Sequence, residues 1–450
     1  MTGTPVRRAA YSSVVALTPL SRRKVVLGTG GVLTYGALAW WSVEYRIRRA
    51  EVPLYSETVA FSAPGVRELV PTGHPDAVVP GTRVLAARPL STMLVEDEQA
   101  WLEGCAPWVR TALDGGDDVL RSALLDLRAL TVGLPVCVAG WSEKWRYAWP
   151  RDVSFVATAL ARTGHPEHAA EQLRFLQEVQ RHDGWFEARY DLRTRRTPDD
   201  RAAQLDGSAW SVWGAHQLAL AVPDRAVELL TPLRPMFLLS TQRLLASLDA
   251  DTLLPMASSD YWELVERSVT LGTAASVLAG LRSATEVLPL VGESALAERT
   301  GAAAESLADQ VHGQFGARGY PRLLDDPAAD AAVTFLAAPI GGTGVDDAVL
   351  TAMGHAQTAM ARPAGGVAPG AQWKDDGISW TPETALFAAA WAASGERERA
   401  EVLLGWLGEH RTDAGSFPEK VLFDGRPAAV APLAWTAALV VIARHELVHG

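Results

Sequence analysis

Residues Glu143 to Gly164, EKWRYAWPRDVSFVATALARTG, place aromatic and charged side chains together just before an apolar, helix-like stretch. The stretch contains three aromatic residues followed by an adjacent arginine and aspartate: Trp145, Tyr147, Trp149, Arg151 and Asp152. A protein core accommodates the rings but not the charges, and a solvated surface accommodates the charges but not the rings. A polar ligand with flat apolar faces needs both, and sugars are the commonest ligands of that kind. The stretch therefore predicts a binding site for such a ligand at the start of a helix.

Three further loops combine a carboxylate with aromatic residues or glycines just before a predicted helix. They are HDGWFEARY (182–190) with QLDGSAW (204–210), SSDYWELVERSVTLGTA (258–274) and GSFPEKVLFDGRPAAVAPLAWTAAL (415–439). Long loops between helices are usually functional or disordered, and aromatic-rich loops are seldom disordered. We therefore expect these loops to contribute to function.

The elements that must position these loops are helices. From about Glu96 onward, apolar residues recur at three- and four-residue spacing in successive segments, which indicates amphipathic helices. Pro166 begins one segment, and Gly164 and Gly395 end others. About twelve helices, taken as successive pairs, predict an all-α fold, an (α/α)6 barrel of six helical hairpins with functional loops at one end. An α-solenoid is the alternative, although no fixed repeat period is visible.

Three motifs, in this order, resemble segments of glycoside hydrolase family 15, the glucoamylase family. YAWPRD (147–152) resembles its aromatic-x-Trp-x-Arg-Asp signature, and DYWE (260–263) resembles the segment that carries its general acid. FPEKV (417–421), followed by PLAWTAAL (432–439), resembles the segment that carries its general base. The resemblance covers about Leu130 to Arg444 and implies the (α/α)6 barrel that the helix pattern also predicts.

The resemblance implies that Glu263 is a general acid and Glu419 a general base. Hydrolysis of a glycoside needs one protonated carboxyl for the leaving oxygen and one ionised carboxylate for water. Glu263 lies between Trp262 and Leu264, an apolar setting suited to a proton donor. The residues predicted to bind substrate, from the motifs and the loops together, are Trp149, Arg151, Asp152, Trp185, Asp206, Trp262 and Trp435.

Several of these residues also have a purely structural interpretation. Arg151 and Asp152 could form an ion pair at a helix start, and Asp206 could cap a helix. Trp435 could be a core residue, because its predicted helix is apolar all round. Glu383 follows Pro382 in WKDDGISWTPETALF and is a further candidate, for which helix capping is the default.

The two glutamates have structural alternatives as well. Glu263 could be a solvated acid favoured by a helix dipole, and Glu419 could be a surface charge paired with Lys420. A catalytically inactive protein that binds glycans through the same loops therefore stays open as an alternative.

The chain also departs from the family. Many bacterial relatives carry a large β-sandwich before the barrel, and the sequence has no room for one. Leu264 follows the expected acid where some relatives have a second carboxylate that contacts sugar. The sequence therefore leaves open the choice among starch-like dextrins, isomalto-oligosaccharides, dextran and trehalose.

Residues 25–43, VVLGTGGVLTYGALAWWSV, form a run without charges that could span about 28 Å as a helix. The preceding SRRKVVL (21–27) resembles a twin-arginine export signal. We expect three regions: a basic segment with a membrane anchor at 1–50, a stalk or lead-in at 51–95, and a catalytic domain at 96–450. The catalytic domain is expected outside the cytoplasm; secretion after twin-arginine export and a buried helix at 25–43 are the alternatives.

Composition narrows the possible partners. The net charge of −11 argues against nucleic acid. Cys105 and Cys137 lack zinc-ligand spacing; they could form one disulfide, and buried free thiols are the favoured interpretation. No cofactor or metal is expected, since acid–base hydrolysis needs none, and the sequence does not define the oligomeric state.

The sequence thus predicts an inverting, exo-acting α-glucosidase of glucoamylase type that releases β-glucose from α-linked oligo- or polysaccharides. A trehalase or an isomalto-oligosaccharide or dextran glucosidase on the same fold is the first alternative. An inactive membrane-anchored glycan-binding protein is the second.

Overall fold

The computed structural model describes residues 51–342 and 346–450, and this part of the chain is mostly helical. Its α-helices are α1 (Ser91–Glu103), α2 (Pro107–Asp114), α3 (Asp118–Thr131), α4 (Pro150–Arg162), α5 (Pro166–Val179), α6 (Asp206–Ala221), α7 (Ala226–Leu230), α8 (Arg234–Ser247), α9 (Leu271–Leu290), α10 (Ser294–Gln310), α11 (Asp347–Ala359), α12 (Thr381–Ala393), α13 (Arg397–Glu409) and α14 (Ala434–His449).

Helical segments within these residues form two concentric rings of six. The inner ring contains α4, α6, α9, the 3-10 helix Ala331–Leu336, α12 and α14; each contacts the next, and α14 returns to α4. The outer ring contains α3, α5, α8, α10, α11 and α13; α3 packs against α14, and each of the others packs against an inner segment next to it in the chain. This arrangement is consistent with the predicted (α/α)6 barrel.

Inner and outer helices differ in how they bury apolar residues. Helix α12 is buried at every position from Thr381 to Ala392, because neighbouring helices cover it on all sides. Helix α5 buries one face, with Leu173 and Leu176 among the buried residues.

Gly164 and Gly395 follow the ends of α4 and α12 with φ of 92° and 78°, the left-handed geometry that glycine adopts most easily. Both helix ends are where the sequence predicts them.

One segment of the inner ring is shorter than the full helix that the sequence pattern predicts. The 3-10 helix Ala331–Leu336 has six residues. Its start is fixed by Asp330, whose carboxylate accepts a hydrogen bond from Ala332 N at 2.8 Å. Pro339 follows shortly after its end, and proline cannot continue a helical hydrogen-bond ladder. The inner ring is therefore completed by a single short segment at this point.

Short antiparallel sheets lie in the loops. β1 (Thr58–Ala63) pairs with β2 (Val66–Val70), β3 (Pro321–Leu323) pairs with β4 (Asp326–Ala329), and β5 (Ser379–Trp380), β6 (Lys420–Val421) and β7 (Pro427–Ala428) form a three-stranded sheet. In the last sheet Trp380 lies opposite Lys420. This register brings the start of α12 beside the loop that carries Glu419.

Residues 51–95, expected to be a stalk or lead-in, pack against the helical toroid and belong to the same compact unit as the residues that follow. Arg83 is 2 % exposed, and its Nη2 lies 2.7 Å from Asp126 of α3 and donates to Gly415 O at 2.8 Å. Ser56 Oγ donates to Ala431 O at 2.8 Å. The composition of this segment suggested a stalk because it does not reveal distant partners such as Gly415 and Ala431, which lie more than 300 positions away in sequence.

Replacing Arg83 with methionine is expected to lower the free energy of unfolding by about 3–5 kcal/mol, because Asp126 would stay buried without its cation. Urea unfolding followed by circular dichroism measures the effect. Arg88→Met is the matched control: Arg88 also lies in residues 51–95 but pairs with Glu68 in an exposed contact, worth at most about 1 kcal/mol. Equal effects of the two substitutions would mean that the buried pair does not hold this segment to the toroid.

Among the described residues, no helix combines the length and the hydropathy needed to cross a bilayer. The predicted anchor at 25–43 belongs to residues 1–50, which lie outside the described residues. The membrane anchor therefore stays a prediction.

Candidate active site

A cavity of about 430 Å³ lies where the inner helices α4, α12 and α14 begin. Seven of the nine residues predicted to form the site line it: Trp149, Arg151, Asp152, Trp262, Glu263, Glu419 and Trp435. Trp185 and Asp206 do not. The fold therefore brings together residues from three sequence motifs that are more than 100 positions apart.

The local sequence explains how the helix starts present these side chains. Trp149 has extended backbone angles, with φ of −93° and ψ of 131°, and Pro150 occupies the first position of α4. Trp380 precedes α12 with similar angles, and Pro382 lies in its first turn. Proline at this position costs no hydrogen bond and restricts the chain to a helical φ. Each helix thus begins directly after a tryptophan that faces the cavity.

Glu263 lies in the loop before α9 with a φ of 57°. A non-glycine residue in this left-handed region costs on the order of 1–3 kcal/mol and persists where its surroundings fix it. Here Glu263 N donates to Asp260 O at 2.8 Å, and Trp149 Nε1 donates to Glu263 Oε1 at 2.6 Å. The second carboxylate oxygen accepts a hydrogen bond from Arg201. Glu263 is therefore held by charged and polar partners, not by the apolar setting that its sequence neighbours suggested.

Glu419 lies directly before β6, in the motif FPEKV. Its Oε1 accepts a hydrogen bond from Trp145 Nε1 at 3.1 Å, and its Oε2 lies 3.2 Å from Lys420 Nζ. Its backbone is fixed by Glu419 N donating to Val430 O at 2.8 Å. The expected pairing with Lys420 is present, but the side chain of Glu419 is 13 % exposed and lines the cavity. It is not a surface charge.

Arg151 and Asp152 form an ion pair of 3.1 Å at the start of α4 and are 8 % and 3 % exposed. Burial raises the pKa of Asp152 to about 6, although Arg151 favours its charged form. Within the described residues, Nε and Nη1 of Arg151 have no hydrogen-bond partner. The expected ion pair is therefore present, and Arg151 has two donors without a partner in the described residues; binding of a ligand by this pair stays a prediction.

Trp435 lines the cavity and is also nearly buried, at 4 % exposed. The guanidinium carbon of Arg151 lies 4.3 Å from the centre of its ring, a distance at which a cation is attracted to the ring face. Trp435 also lies 5.9 Å from the ring of Phe155. It contributes to the core with one side and supports Arg151 with the other.

Three tryptophans form one wall of the cavity. The ring of Trp373 is nearly perpendicular to both neighbours, 4.8 Å from Trp262 and 5.6 Å from Trp380. Arg322 lies 3.8 Å over the ring of Trp262. Indole N–H groups of the cavity that have no hydrogen-bond partner within the described residues belong to Trp262, Trp373, Trp380 and Trp435. The wall therefore offers both flat apolar faces and unused donors.

Sequence motifs missed some residues of the cavity. Arg201, Arg189 and Trp373 line it but belong to none of the three motifs. Arg189 lies 4.5 Å from the ring of Tyr147 and 5.0 Å from that of Trp149. Arg201 comes from a loop without periodic pattern, whereas Arg189 and Trp373 lie in HDGWFEARY and WKDDGISWTPETALF, two segments in which the sequence predicts other residues as candidates.

Asp206 is buried at the start of α6 but does not line the cavity. Its Oδ2 accepts a hydrogen bond from Trp210 Nε1 at 3.3 Å, and it is the first residue of the helix, since Leu205 occupies the N-cap position. Burial raises the pKa of Asp206 to about 7, opposed mainly by the charge of Arg151. Asp206 therefore lies outside the cavity lining and contributes to the electrostatic surroundings of Arg151, and its role in binding substrate stays a prediction.

Trp185 also lies outside the cavity lining, so its role in binding substrate stays a prediction. Its ring lies 5.6 Å from the guanidinium carbon of Arg243, and it packs against the hydrophobic core outside the cavity. Its backbone carbonyl accepts a hydrogen bond from Arg181 N at 3.0 Å, which closes a turn at Gly184. The motif HDGWFEARY suggested a ligand contact because it joins aromatic and charged residues, but here the ring packs beside Arg243 and against the core.

Among the described residues, no group of three or more histidine, cysteine, aspartate or glutamate side chains is arranged to hold a metal ion. Cys105 and Cys137 are both buried and unbridged, as the sequence predicts.

Comparison with known proteins identifies several solved structures with a similar fold. A glycosidase matches 73 % of this chain and 96 % of its own, with a TM-score of 0.63 and 20 % identity, and a variant in complex with glucose matches equally. A bacterial glucoamylase complexed with acarbose matches 80 % of this chain and 59 % of its own, with a TM-score of 0.65 and 15 % identity. Glucoamylase from Saccharomycopsis fibuligera matches 74 % of this chain and 95 % of its own, with a TM-score of 0.59 and 14 % identity.

No protein-family model and no curated protein matches the sequence. At identities of 14–20 % the structural likeness establishes the fold, which is the fold of these glycosidases and glucoamylases.

Proposed function

We propose that this protein is a glycoside hydrolase of the glucoamylase type, an inverting exo-acting α-glucosidase. The observation that carries the proposal is the presence of Glu263 and Glu419 in one cavity, each held by the indole N–H of a different tryptophan. Two carboxyl groups on either side of a sugar are what hydrolysis of a glycosidic bond requires. The likeness to solved glycosidases and glucoamylases supports the proposal from the fold.

In this mechanism Glu263 protonates the leaving oxygen, and Glu419 removes a proton from the water that attacks the anomeric carbon. An inverting enzyme needs room for that water, so we expect the two carboxyl groups to lie about 6.5–9.5 Å apart. The indole donors fix one oxygen of each carboxyl; the second oxygen of Glu263 accepts a hydrogen bond from Arg201, and that of Glu419 lies 3.2 Å from Lys420 Nζ.

Arg201 has to move for Glu263 to act as an acid. Glu263 donates only when it carries a proton, and a protonated carboxyl has no charge to pair with a guanidinium. Arg201 is 38 % exposed and lies in a loop, so it can withdraw at small cost. We expect the leaving group of the substrate to occupy the place of Arg201 beside Glu263.

Unpaired polar atoms in the cavity support a hydroxyl-rich ligand. Arg151 offers Nε and Nη1, and four tryptophans offer indole N–H groups, without partners in the described residues. A buried donor or acceptor without a partner costs about 1–3 kcal/mol. A sugar satisfies such donors with its hydroxyls while its apolar face packs on the rings.

The position of Arg151 and Asp152 supports action at a chain end. Both are more than nine-tenths buried, so a hydroxyl that reaches them must belong to a sugar inserted into the cavity. A terminal glucose fits this requirement better than an internal sugar, which continues in both directions.

Hydrolysis of a panel of α-glucosides by the full-length protein tests the proposal. We expect glucose to be released from at least one of maltose, maltotriose, isomaltose and trehalose. Proton NMR in the first minutes is expected to detect β-glucose, because an inverting enzyme turns an α-linkage into the β-anomer. The preferred substrate distinguishes a glucoamylase from a trehalase or an isomalto-oligosaccharide glucosidase.

Two outcomes would contradict the proposal. Initial release of the α-anomer would mean retention, which an acid–base pair of glutamates acting through water does not produce. Binding of maltose without hydrolysis of any panel member would favour an inactive glycan-binding protein.

We also propose that residues 25–43 attach the protein to a membrane, with the catalytic domain outside the cytoplasm. The uncharged run and the arginines before it support this placement. Cell fractionation should recover the full-length chain with membranes; a soluble chain beginning after residue 43 would instead mean export and cleavage.

A further inference from the structure

Glu383 is a third glutamate that lines the cavity, and the proposed hydrolysis does not use it. It lies in the first turn of α12, directly after Pro382, and is 3 % exposed. Within the described residues its Oε2 has no hydrogen-bond partner. Helix capping, the default for a glutamate in a first turn, leaves this buried oxygen unexplained.

The charges of three groups on other elements of the fold act on Glu383. They are Arg151 of α4, Glu419 in the loop before β6, and Asp330 at the start of the 3-10 helix. Each of them already has a partner of opposite charge. Arg151 pairs with Asp152 at 3.1 Å, Glu419 with Lys420 at 3.2 Å and Asp330 with Arg322 at 2.9 Å. Glu383 therefore lies among ion pairs without an ion-pair partner of its own in the described residues.

This environment favours the protonated form of Glu383. Burial raises its pKa to about 8, and repulsion by Glu419 and Asp330 acts in the same direction. Its own backbone N–H and Arg151 act in the opposite direction and are outweighed. A protonated carboxyl can donate one hydrogen bond and accept others, whereas a carboxylate only accepts.

We propose that Glu383 is a specificity-determining residue that binds a hydroxyl of the sugar in the cavity through its carboxyl group, which donates a hydrogen bond. The inference rests on the proposed function, since it takes the ligand to be the sugar that the enzyme hydrolyses. A site that hydrogen-bonds a substrate hydroxyl rejects analogues without it, because the buried group then loses its partner. Glu383 acts in recognition, while Glu263 and Glu419 perform the proton transfers.

Two substitutions in the full-length protein separate donation from mere burial. Glu383→Gln keeps an N–H donor and the size of the side chain, and Glu383→Leu keeps the approximate size but removes the polar group. Glucose binding, measured by titration calorimetry at pH 6 and pH 9, is the readout. We expect Glu383→Leu to weaken binding about tenfold or more at pH 6, and Glu383→Gln to stay within a few-fold of wild type.

The pH dependence provides a second readout. Wild-type affinity for glucose is expected to fall between pH 6 and pH 9, because Glu383 loses its proton over this range and can no longer donate. Glu383→Gln, which does not titrate, is expected to lose most of that fall. This comparison decides the matter even if Glu383→Leu does not fold.

Glu398→Gln is the matched control, because Glu398 occupies the first turn of the next helix, α13, but is exposed. It should leave glucose binding and its pH dependence unchanged. Equal glucose affinity of wild type and Glu383→Leu, or the same pH dependence in wild type and Glu383→Gln, would overturn the inference. Loss of kcat in Glu383→Gln with unchanged glucose affinity would also overturn it, since Glu383 would then transfer a proton.

Failure of the proposed function gives a different result. If no glycoside is hydrolysed but glucose still binds in a manner that depends on Glu383, hydrolysis is wrong and the binding role stands. If glycosides are hydrolysed and the Glu383 variants bind glucose as wild type does, the role of Glu383 is wrong and hydrolysis stands.

Discussion

Replacing Glu263 with glutamine is expected to lower kcat by about 10²–10⁴-fold, and Glu419→Gln by a similar factor. Glutamine keeps the shape of each side chain and an oxygen that can accept the hydrogen bond from Trp149 or Trp145. It cannot act as a general acid toward the leaving oxygen or as a general base toward water. The cavity should therefore stay intact while one proton transfer is lost in each variant.

The two roles can be distinguished with a substrate that needs no acid. Fluoride leaves α-glucosyl fluoride with little help from a proton donor, so Glu263→Gln should recover much of its activity on this substrate. Glu419→Gln should not recover, because activation of water is still required. The reverse result would exchange the two assignments.

Glu187→Gln is the matched control for both variants. Glu187 is 25 % exposed, close to the 22 % of Glu263, and also has an arginine partner, Arg181, but it lies outside the cavity. Its substitution should leave kcat and KM unchanged. Wild-type kcat in either cavity variant would contradict the proposed mechanism, whatever the fold resembles.

The sequence predicted the helical architecture well because periodicity is a local signal. Apolar residues at three- and four-residue spacing indicate each helix without knowledge of its contacts, both for α12, which is buried on all sides, and for α5, which buries one face. Pro166, Gly164 and Gly395 mark helix ends through their own backbone preferences. The sequence did not predict the short inner segment Ala331–Leu336, because a short apolar run is equally compatible with part of a longer α-helix.

The candidate site was predictable to the extent that its residues lie at helix starts. Arg151 and Trp435 are near the N-termini of neighbouring inner helices, so adjacent helices bring them together. Trp185 has a similar local composition but belongs to a turn outside the cavity. Arg201 contacts Glu263 across 62 positions from a loop without pattern, and no local signal indicates such a pairing.

Residues 51–95 illustrate the same limit at the level of domains. Pro- and Gly-rich sequence with short apolar runs is typical of a linker, yet Arg83 is buried against the loop that precedes Glu419. The buried ion pair with Asp126 depends on groups that are distant in sequence. A chain that begins at residue 96 would lack this support, so we expect 51–450, not 96–450, to be the smallest active fragment.

Replacing Arg151 is expected to lower kcat/KM by one to two orders of magnitude or more, because a charged group that loses its hydrogen bonds to a ligand costs about 1.5–3 kcal/mol per bond. Arg151→Met keeps most of the length of the side chain and its contact with the ring of Trp435, but removes the donors. Asp152→Asn keeps the size of Asp152 and leaves Arg151 in place. Both variants should lose catalytic efficiency if the pair binds sugar hydroxyls.

The two variants are expected to differ in how their free energy of unfolding depends on pH. Burial already raises the pKa of Asp152 to about 6 in the presence of Arg151, and loss of the arginine removes the main opposing charge and raises this pKa further. A carboxyl whose pKa is higher in the folded than in the unfolded state binds more protons when folded, so the free energy of unfolding falls as the pH rises through that interval. Arg151→Met should therefore be nearly as stable as wild type at pH 5 and much less stable at pH 8. Asp152→Asn, which has no such carboxyl, should lack this additional loss.

Thermal unfolding at the two pH values, combined with kcat/KM at pH 5, tests both points. A variant that unfolds early at pH 8 but keeps wild-type kcat/KM at pH 5 would make the pair purely structural, and the unused donors of Arg151 would then have no ligand to bind.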